Sequence, residues 1–226
     1  MMKRQFLKTT LMAAALAATF SMPAMADIRV EPMKGVQKVK VTQQWDKTFP
    51  QSSQVEHQKV QFRNRYGITV VGDLYMPKGA KGKLPALVLS GPFGAVKEQS
   101  SGLHAQEMAK RGFVALAFDP SFTGESGGEV RDVASPDIFT EDFSAAVDYL
   151  GLQPFVDRER IGVLAICGLT GMGITAATAD SRIKSVAVTA MYDMSRSMSK
   201  GYQDYYTPEQ REKLVDHISQ QRWKDA

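Results

Sequence analysis

The sequence predicts an α/β protein: a mostly parallel sheet flanked by helices and led into by an antiparallel hairpin. Three observations carry this. Short, nearly continuous apolar runs recur along the chain, as in strands buried on both faces. Helical patterns separate those runs, the order that produces parallel pairing. Ahead of them, "KVQFRNRYGITVVGDLYMPKG" alternates apolar and polar residues around Tyr66-Gly67, as two strands joined by a turn do.

In chain order, the first 26 residues hold Lys3, Arg4 and Lys8 and no acid, then the apolar run "LMAAALAATF", then Ala24-Met25-Ala26 before Asp27. That run is too short to span a bilayer. A basic start, a short apolar middle and a small-x-small end read as a signal peptide cut after Ala26, so the mature chain is expected to be periplasmic or secreted. Arg4, Phe6, Leu7 and Lys8 also resemble the twin-arginine pattern, with Lys3 at the first arginine position. General secretion and the twin-arginine route both stay open. The leader holds no cysteine, so no lipid anchor to a membrane is expected. Residues 27–57 are polar and irregular, and the α/β domain is expected over residues 58–226.

The hairpin strands are expected at Lys59–Arg65 and Ile68–Met76. "LPALVLSG" from Leu84 reads as the first buried strand, followed by a helix with Leu103, Met108 and Ala109 turned inward. Lys97 and Glu98 are expected at its solvated start. "GFVALAFDP" from Gly112 is the second buried strand and opens into the glycine-rich loop "SFTGESGGEVRD". From Pro136 to Leu150, Ile138, Phe139, Phe143, Ala146, Val147 and Leu150 recur at helical spacing. "RIGVLAIC" is the third buried strand, Gly171 to Ala179 a small-residue helix, and "IKSVAVTAMY" a fourth buried strand. Thr207 to Gln221 reads as a polar helix with Pro208 in its first turn.

Composition narrows the function classes. Of 226 residues, 43% are hydrophobic and 23% charged, ordinary for a globular chain. The net charge is +4, and the three basic leader residues account for most of it. No basic stripe with interleaved aromatics appears, so no nucleic-acid partner is expected. No metal-ligand spacing or phosphate-cradling loop appears, so no metal or cofactor is implied. Cys167 is the single cysteine, which excludes an internal disulfide.

Sites in parallel sheets form beyond the carboxyl ends of the strands. Gly91–Gly94, Asp119–Gly128 and Cys167–Gly171 all fall there and are expected to share one crevice. With this order of elements, "SGPFGAVKEQ", "GFVALAFDPSFTGESGG", "TEDFSAAVDYL" and "VDRERIGVLAICG" resemble the α/β-hydrolase family, in its dienelactone-hydrolase-like branch. The resemblance covers roughly residues 59–195.

That resemblance implies a nucleophile elbow at Ala165-Ile166-Cys167-Gly168-Leu169, with Cys167 as nucleophile. Small neighbours let such a turn close, and Leu169 stands where the family usually has a small residue. The helix behind the elbow presents its positive end to an anionic nucleophile. The Gly168 amide and that of Phe93 or Gly94 would form the oxyanion hole. The family's order of nucleophile, acid and histidine is met formally by Cys167, Asp193 and His217. His57 and His104 are expected as surface or helix-face residues. No apolar strand follows Tyr192, so the domain is expected to lack the family's last strands and to expose one sheet edge, which leaves it unstable, a homodimer through that edge, or in need of a partner segment. The implied activity is hydrolysis of an ester, lactone or related acyl bond in a small-molecule substrate. The alternative is a non-catalytic protein that binds a ligand in the same crevice, or an inactive fragment.

Overall fold

In the computed structural model, which describes residues 30–226, the hairpin consists of β1 (Val55–Arg63) and β2 (Thr69–Pro77). Then follow β3 (Leu84–Ser90), α1 (Ser100–Lys110), β4 (Val114–Phe118), α2 (Pro136–Leu152) and β5 (Val156–Ile166). A single 3₁₀ turn, Cys167–Leu169, leads into α3 (Thr170–Ala179), and β6 (Ile183–Thr189), α4 (Met194–Lys200) and α5 (Pro208–Asp225) complete the described chain. The leader expected over residues 1–26 lies outside the described residues.

The six strands form one sheet in the order β1-β2-β4-β3-β5-β6. β1 pairs antiparallel with β2, and β2 with β4. All pairings among β3, β4, β5 and β6 are parallel. This is the expected mixed sheet with its antiparallel lead-in, flanked by helices. After β3 the chain steps to β4 on one side, and after β4 it returns across β3 to β5. The loops leaving β3 and β5 therefore part at a switch point, where open α/β sheets make a crevice.

Two apolar clusters hold the layers. On one face α2 and α3 cover the sheet with Phe139, Phe143, Val147, Leu150 and Met172, packed on Val88, Leu116 and Val163. On the other, Ala105 and Ala109 of α1 sit over Tyr75, Leu89, Ala115 and Ala117.

Four expectations are corrected here. Leu103 is 41% exposed, and α1 turns Ser101, Gly102, Ala105, Gln106 and Ala109 inward instead. Its close seat explains this: a Cβ at Gly102 would lie 2.3 Å from the Lys97 carbonyl and 3.1 Å from Tyr75 Oη. Second, β6 is not a buried strand. Only Ile183 of its seven residues is buried, and among the described residues β6 is the sheet's outer strand. Third, the hairpin starts earlier, at Val55, which carries His57 into β1. Fourth, Lys97 is not solvated at all: its side chain is fully buried within an ionic network.

The segment ahead of β1 has little regular structure but is pinned along its length. Glu31 exchanges hydrogen bonds with the Gln153 side chain, and Val39 with that of Gln61. Phe49 is buried against α1, and Trp45 donates from its indole to the Phe49 carbonyl at 2.8 Å.

Candidate active site

The turn after β5 is sharp. Ile166 is extended, with φ −121° and ψ 132°, and Cys167 swings to φ 56° before the backbone becomes helical at Leu169. A left-handed conformation costs a non-glycine residue about 1–3 kcal/mol, so the surroundings must hold it. They do so through the Cys167 carbonyl, which accepts from Thr170 Oγ1 at 2.7 Å and from the Tyr192 amide at 3.3 Å. Cys167 itself is a free, half-buried thiol at the carboxyl end of β5, directly ahead of α3.

Small residues are required here, though not all where the five-residue pattern places them. A Cβ on Gly173 would lie 2.8 Å from Ala165 Cβ, so the close approach of α3 to β5 falls on that pair. Leu169 is buried and belongs to the larger core cluster, where its bulk is accommodated. Its side chain lies under the loop after β3, 3.3 Å from where a Cβ on Gly91 would stand.

That loop meets the elbow directly. A Cβ on Gly91 would sit 2.2 Å from the Ile166 carbonyl oxygen, and one on Gly168 would sit 2.7 Å from Phe93 Cβ. No other residue fits either position without moving backbone. Of the expected site residues, Cys167, Gly168 and Phe93 are thus brought together, with Gly94 adjacent. Among the described residues the Phe93 and Gly94 amides have no acceptor, while the next amide, that of Ala95, turns back to the Pro92 carbonyl.

Behind the loop lies the ionic network. Lys97 Nζ reaches Glu98 at 2.6 Å, Glu125 at 2.7 Å and Asp119 at 2.8 Å. Asp119, at the end of β4, also accepts from the Lys97 amide at 2.7 Å and the Glu125 amide at 3.0 Å. Lys59 of β1 bonds Glu125 at 2.6 Å and Asp46 at 2.7 Å. Asp73 of β2 holds Lys47 at 3.0 Å and the His57 ring at 2.8 Å. Burial works against the Lys97 charge, but Asp119, Glu125 and Glu98 outweigh it and hold its pKa above the usual lysine range. In Asp46, likewise, Lys47 and Lys59 overcome burial and bring the carboxyl down to about 2. The network fastens the loop after β3 to the end of β4 and to the segment ahead of β1.

The other expected site residues lie differently. Asp193 caps α4: its carboxylate accepts from the Arg196 amide at 2.9 Å and from Ser195 Oγ at 2.7 Å, and the Arg196 amide holds it below the usual carboxylate range. It comes near the elbow in space, one residue after the Tyr192 amide that meets the Cys167 carbonyl. His217 is on α5, an exposed helix with no buried residue. Among the described residues, no histidine ring hydrogen-bonds the Cys167 thiol: His57 is bound to Asp73, and His104 Nδ1 to the Ser100 carbonyl. Sequence reasoning missed two elements of the site's frame. One is the Lys97 cluster. The other is Asp142 of α2, buried and accepting from the Ser121 amide, Ser121 Oγ and Asn64 Nδ2 at 2.7–2.9 Å. The second was detectable as an acid on the inward stripe of a helix.

Comparison with known proteins places this geometry in a family. A family model described as X-Pro dipeptidyl-peptidase (S15 family) matches residues 67–221. The uncharacterized protein PA2218 of Pseudomonas aeruginosa is 64% identical over 190 residues, 84% of this chain and 51% of that protein. Its crystal structure superposes with a TM-score of 0.82, covering 84% of this chain and 59% of that one. The thiohydrolase aneE of Aspergillus aculeatus is 35% identical over 130 residues, 58% of this chain and 40% of that protein. A dienelactone hydrolase-like promiscuous phosphotriesterase from metagenomic libraries shares the fold at 18% identity, with a TM-score of 0.52 over 74% of this chain and 78% of that one. The chain spans about half the length of the curated relatives it matches. The sheet order, the elbow after β5 and the match over residues 67–221 lead to one conclusion: this chain has the α/β-hydrolase fold and belongs to the X-Pro dipeptidyl-peptidase (S15) family.

Proposed function

We propose that the protein cleaves an ester, lactone, thioester or related acyl bond through Cys167. The observation that carries this reading is the left-handed backbone of Cys167, a strained conformation held where β5 turns into α3 and where the Phe93–Gly94 loop touches Gly168. Strain kept at one residue by several neighbours points to a working side chain. In the first step Cys167 Sγ attacks the acyl carbon. The bond to the alcohol or thiol leaving group breaks, and the thiol's proton ends on that group. The charge that develops on the acyl oxygen faces the Gly168 amide and the Phe93 and Gly94 amides, which are fixed before substrate arrives and cost no reorganisation. Water then attacks the thioester, releases the acid and restores the thiol. The thiohydrolase name of one relative agrees with an acyl–sulfur substrate.

A second reading is favoured by one observation: among the described residues no histidine reaches the thiol, as a general base would. On that reading the crevice binds its ligand without turnover. The two separate in one experiment. Intact-mass spectrometry after exposure to p-nitrophenyl acetate should show one acetyl group on Cys167, with release of p-nitrophenol. Cys167→Ser should lose at least a hundredfold in that release while keeping its fold. Iodoacetamide labelling no faster than for a model thiol, with no acetyl adduct, would establish the binding reading instead.

We also propose export by the leader. The mature protein recovered from the producing cell should begin at Asp27, and a mass that retains residues 1–26 would overturn this.

A further inference from the structure

A cleft of about 170 Å³ opens beside the elbow, between the loop after β3 and the loop from β4 to α2. Most of the side chains that line it are apolar, Phe93, Val96, Pro120, Val133, Phe139 and Leu169 among them, while Thr123, Asp132 and loop backbone make the rest of the wall polar. Two of these residues tie it to the elbow. Phe93 Cβ lies against Gly168, and Leu169 is two positions beyond Cys167. Phe139 and Leu169 are almost fully buried, and the Phe93 and Phe139 rings stand 6.4 Å apart between centroids. Phe93 remains 39% exposed, an uncovered aromatic face at the mouth.

The loops that form the cleft are held from behind. The Lys97–Asp119 pair ties Val96's neighbour to the end of β4, and the Arg131 guanidinium donates to the Ser126 and Gly124 carbonyls, bracing the other loop. The cleft is thus framed rather than a gap between loose segments.

We propose that this cleft receives the apolar chain of the substrate's acyl group, so that the protein prefers acids carrying a short unbranched aliphatic chain over acetyl or charged acyl groups. The inference rests on the proposed Cys167 reading and adds the substrate class to it. The chemistry argues for an aliphatic occupant. Among the described residues Thr123 and Asp132 are the only polar side chains in the lining; Asp132 is an exposed carboxylate, which repels an anionic acyl group, and no basic side chain lines the cavity to fix a second carboxylate. Each methylene taken out of water into such a lining is worth about a fourfold gain in binding.

The test is a series of p-nitrophenyl esters, from acetyl through butanoyl and hexanoyl to octanoyl, read as the rate of acyl adduct formation on Cys167. Iodoacetamide alkylation of the same thiol serves as a chain-independent reference. The expected result is a rise of roughly three- to fourfold per methylene that levels off once the cleft is filled. Ala134→Trp, at an exposed lining position, should bring the hexanoyl-to-acetyl ratio down to about one. Val133→Asp is the second variant should the first fail to fold, with the same expected loss of ratio. Normal alkylation with a flat chain-length series overturns the inference alone. So does a steep series that neither variant alters, since the chain then lies elsewhere. A thiol that alkylates no faster than a model thiol and takes no acyl group from any ester overturns the Cys167 reading and this inference with it.

Discussion

At the scale of single residues, the site is set by which atoms are left out. Gly91 and Gly168 lack a Cβ because the Ile166 carbonyl and Phe93 already occupy that space. Gly173 lacks one because Ala165 does. Only part of this was readable in the sequence. The lone cysteine after an apolar run, followed by glycine, marks the elbow. That Leu169 fits is visible only once Gly173 is seen to take the close contact four residues later. Asp142 shows the limit differently. Its neighbours at helical spacing are apolar, and only the fold brings Asn64 and Ser121 to it from distant segments. Burial outweighs those donors and pushes its carboxyl up from 3.8 to about 6. The folded chain therefore keeps this proton between about pH 4 and 6, where the unfolded chain has released it. Stability from this group is fully present below about pH 4 and is lost as pH rises toward 6, by about 3 kcal/mol in all. Asp142→Asn should be less stable, since an amide turns a donor toward the Asn64 or Ser121 donors, by about 1–3 kcal/mol at low pH. The gap between the two proteins should close or reverse from pH 4 to pH 6 in urea unfolding, and a constant gap would reject the assignment.

At the scale of elements, the strands were legible because apolar runs bounded by glycine or proline leave few other readings. β3, β4 and β5 fall close to where those runs place them. Helix faces were harder. α2 follows its large apolar stripe, whereas α1 turns alanine, glycine and serine inward, because it lies close on Tyr75 and a leucine there would not fit. The loop after β3 was the least legible element. A lysine and a glutamate at a helix start usually point to water, and only a count of the acids arriving from the end of β4, the loop after it and the segment ahead of β1 reveals a buried cluster. Such a network is marginal as a whole, but removing one member leaves buried charge unmatched. Lys97→Met should therefore cost about 3–5 kcal/mol in urea unfolding, far more than removal of an exposed lysine such as Lys110. It should also slow Cys167 acylation, since the Phe93–Gly94 amides hang from the loop that Lys97 fastens. A cost below 1 kcal/mol would mean that the carboxylates find other partners or protonate.

At the scale of the whole molecule, the same sheet that presents the elbow leaves one side open. Among the described residues β6 pairs with β5 alone, and its residues Val186 and Val188 are 40% and 42% exposed on one face of the strand. An outer strand with unpaired backbone groups and apolar side chains is a template for another strand. A second copy of the 226-residue chain can offer the same strand in return, related by a two-fold axis, which makes the contact self-limiting. The flanking α4 and α5 bury no residue against the sheet, so they do not block the edge. The 226-residue chain should accordingly associate to a dimer at micromolar concentration in sedimentation equilibrium. Val186→Lys places a charge in the middle of β6 and should raise the dissociation constant at least tenfold, or about 1.4 kcal/mol, without lowering the stability of the monomer. Val186 stands opposite Val163, four residues before Cys167, and the exposed face it changes is not part of the cleft beside the elbow, so acylation per thiol should be the same in both proteins. A dimer that survives Val186→Lys unchanged would place the contact on another surface, and a chain that stays monomeric at a hundred micromolar would overturn the pairing.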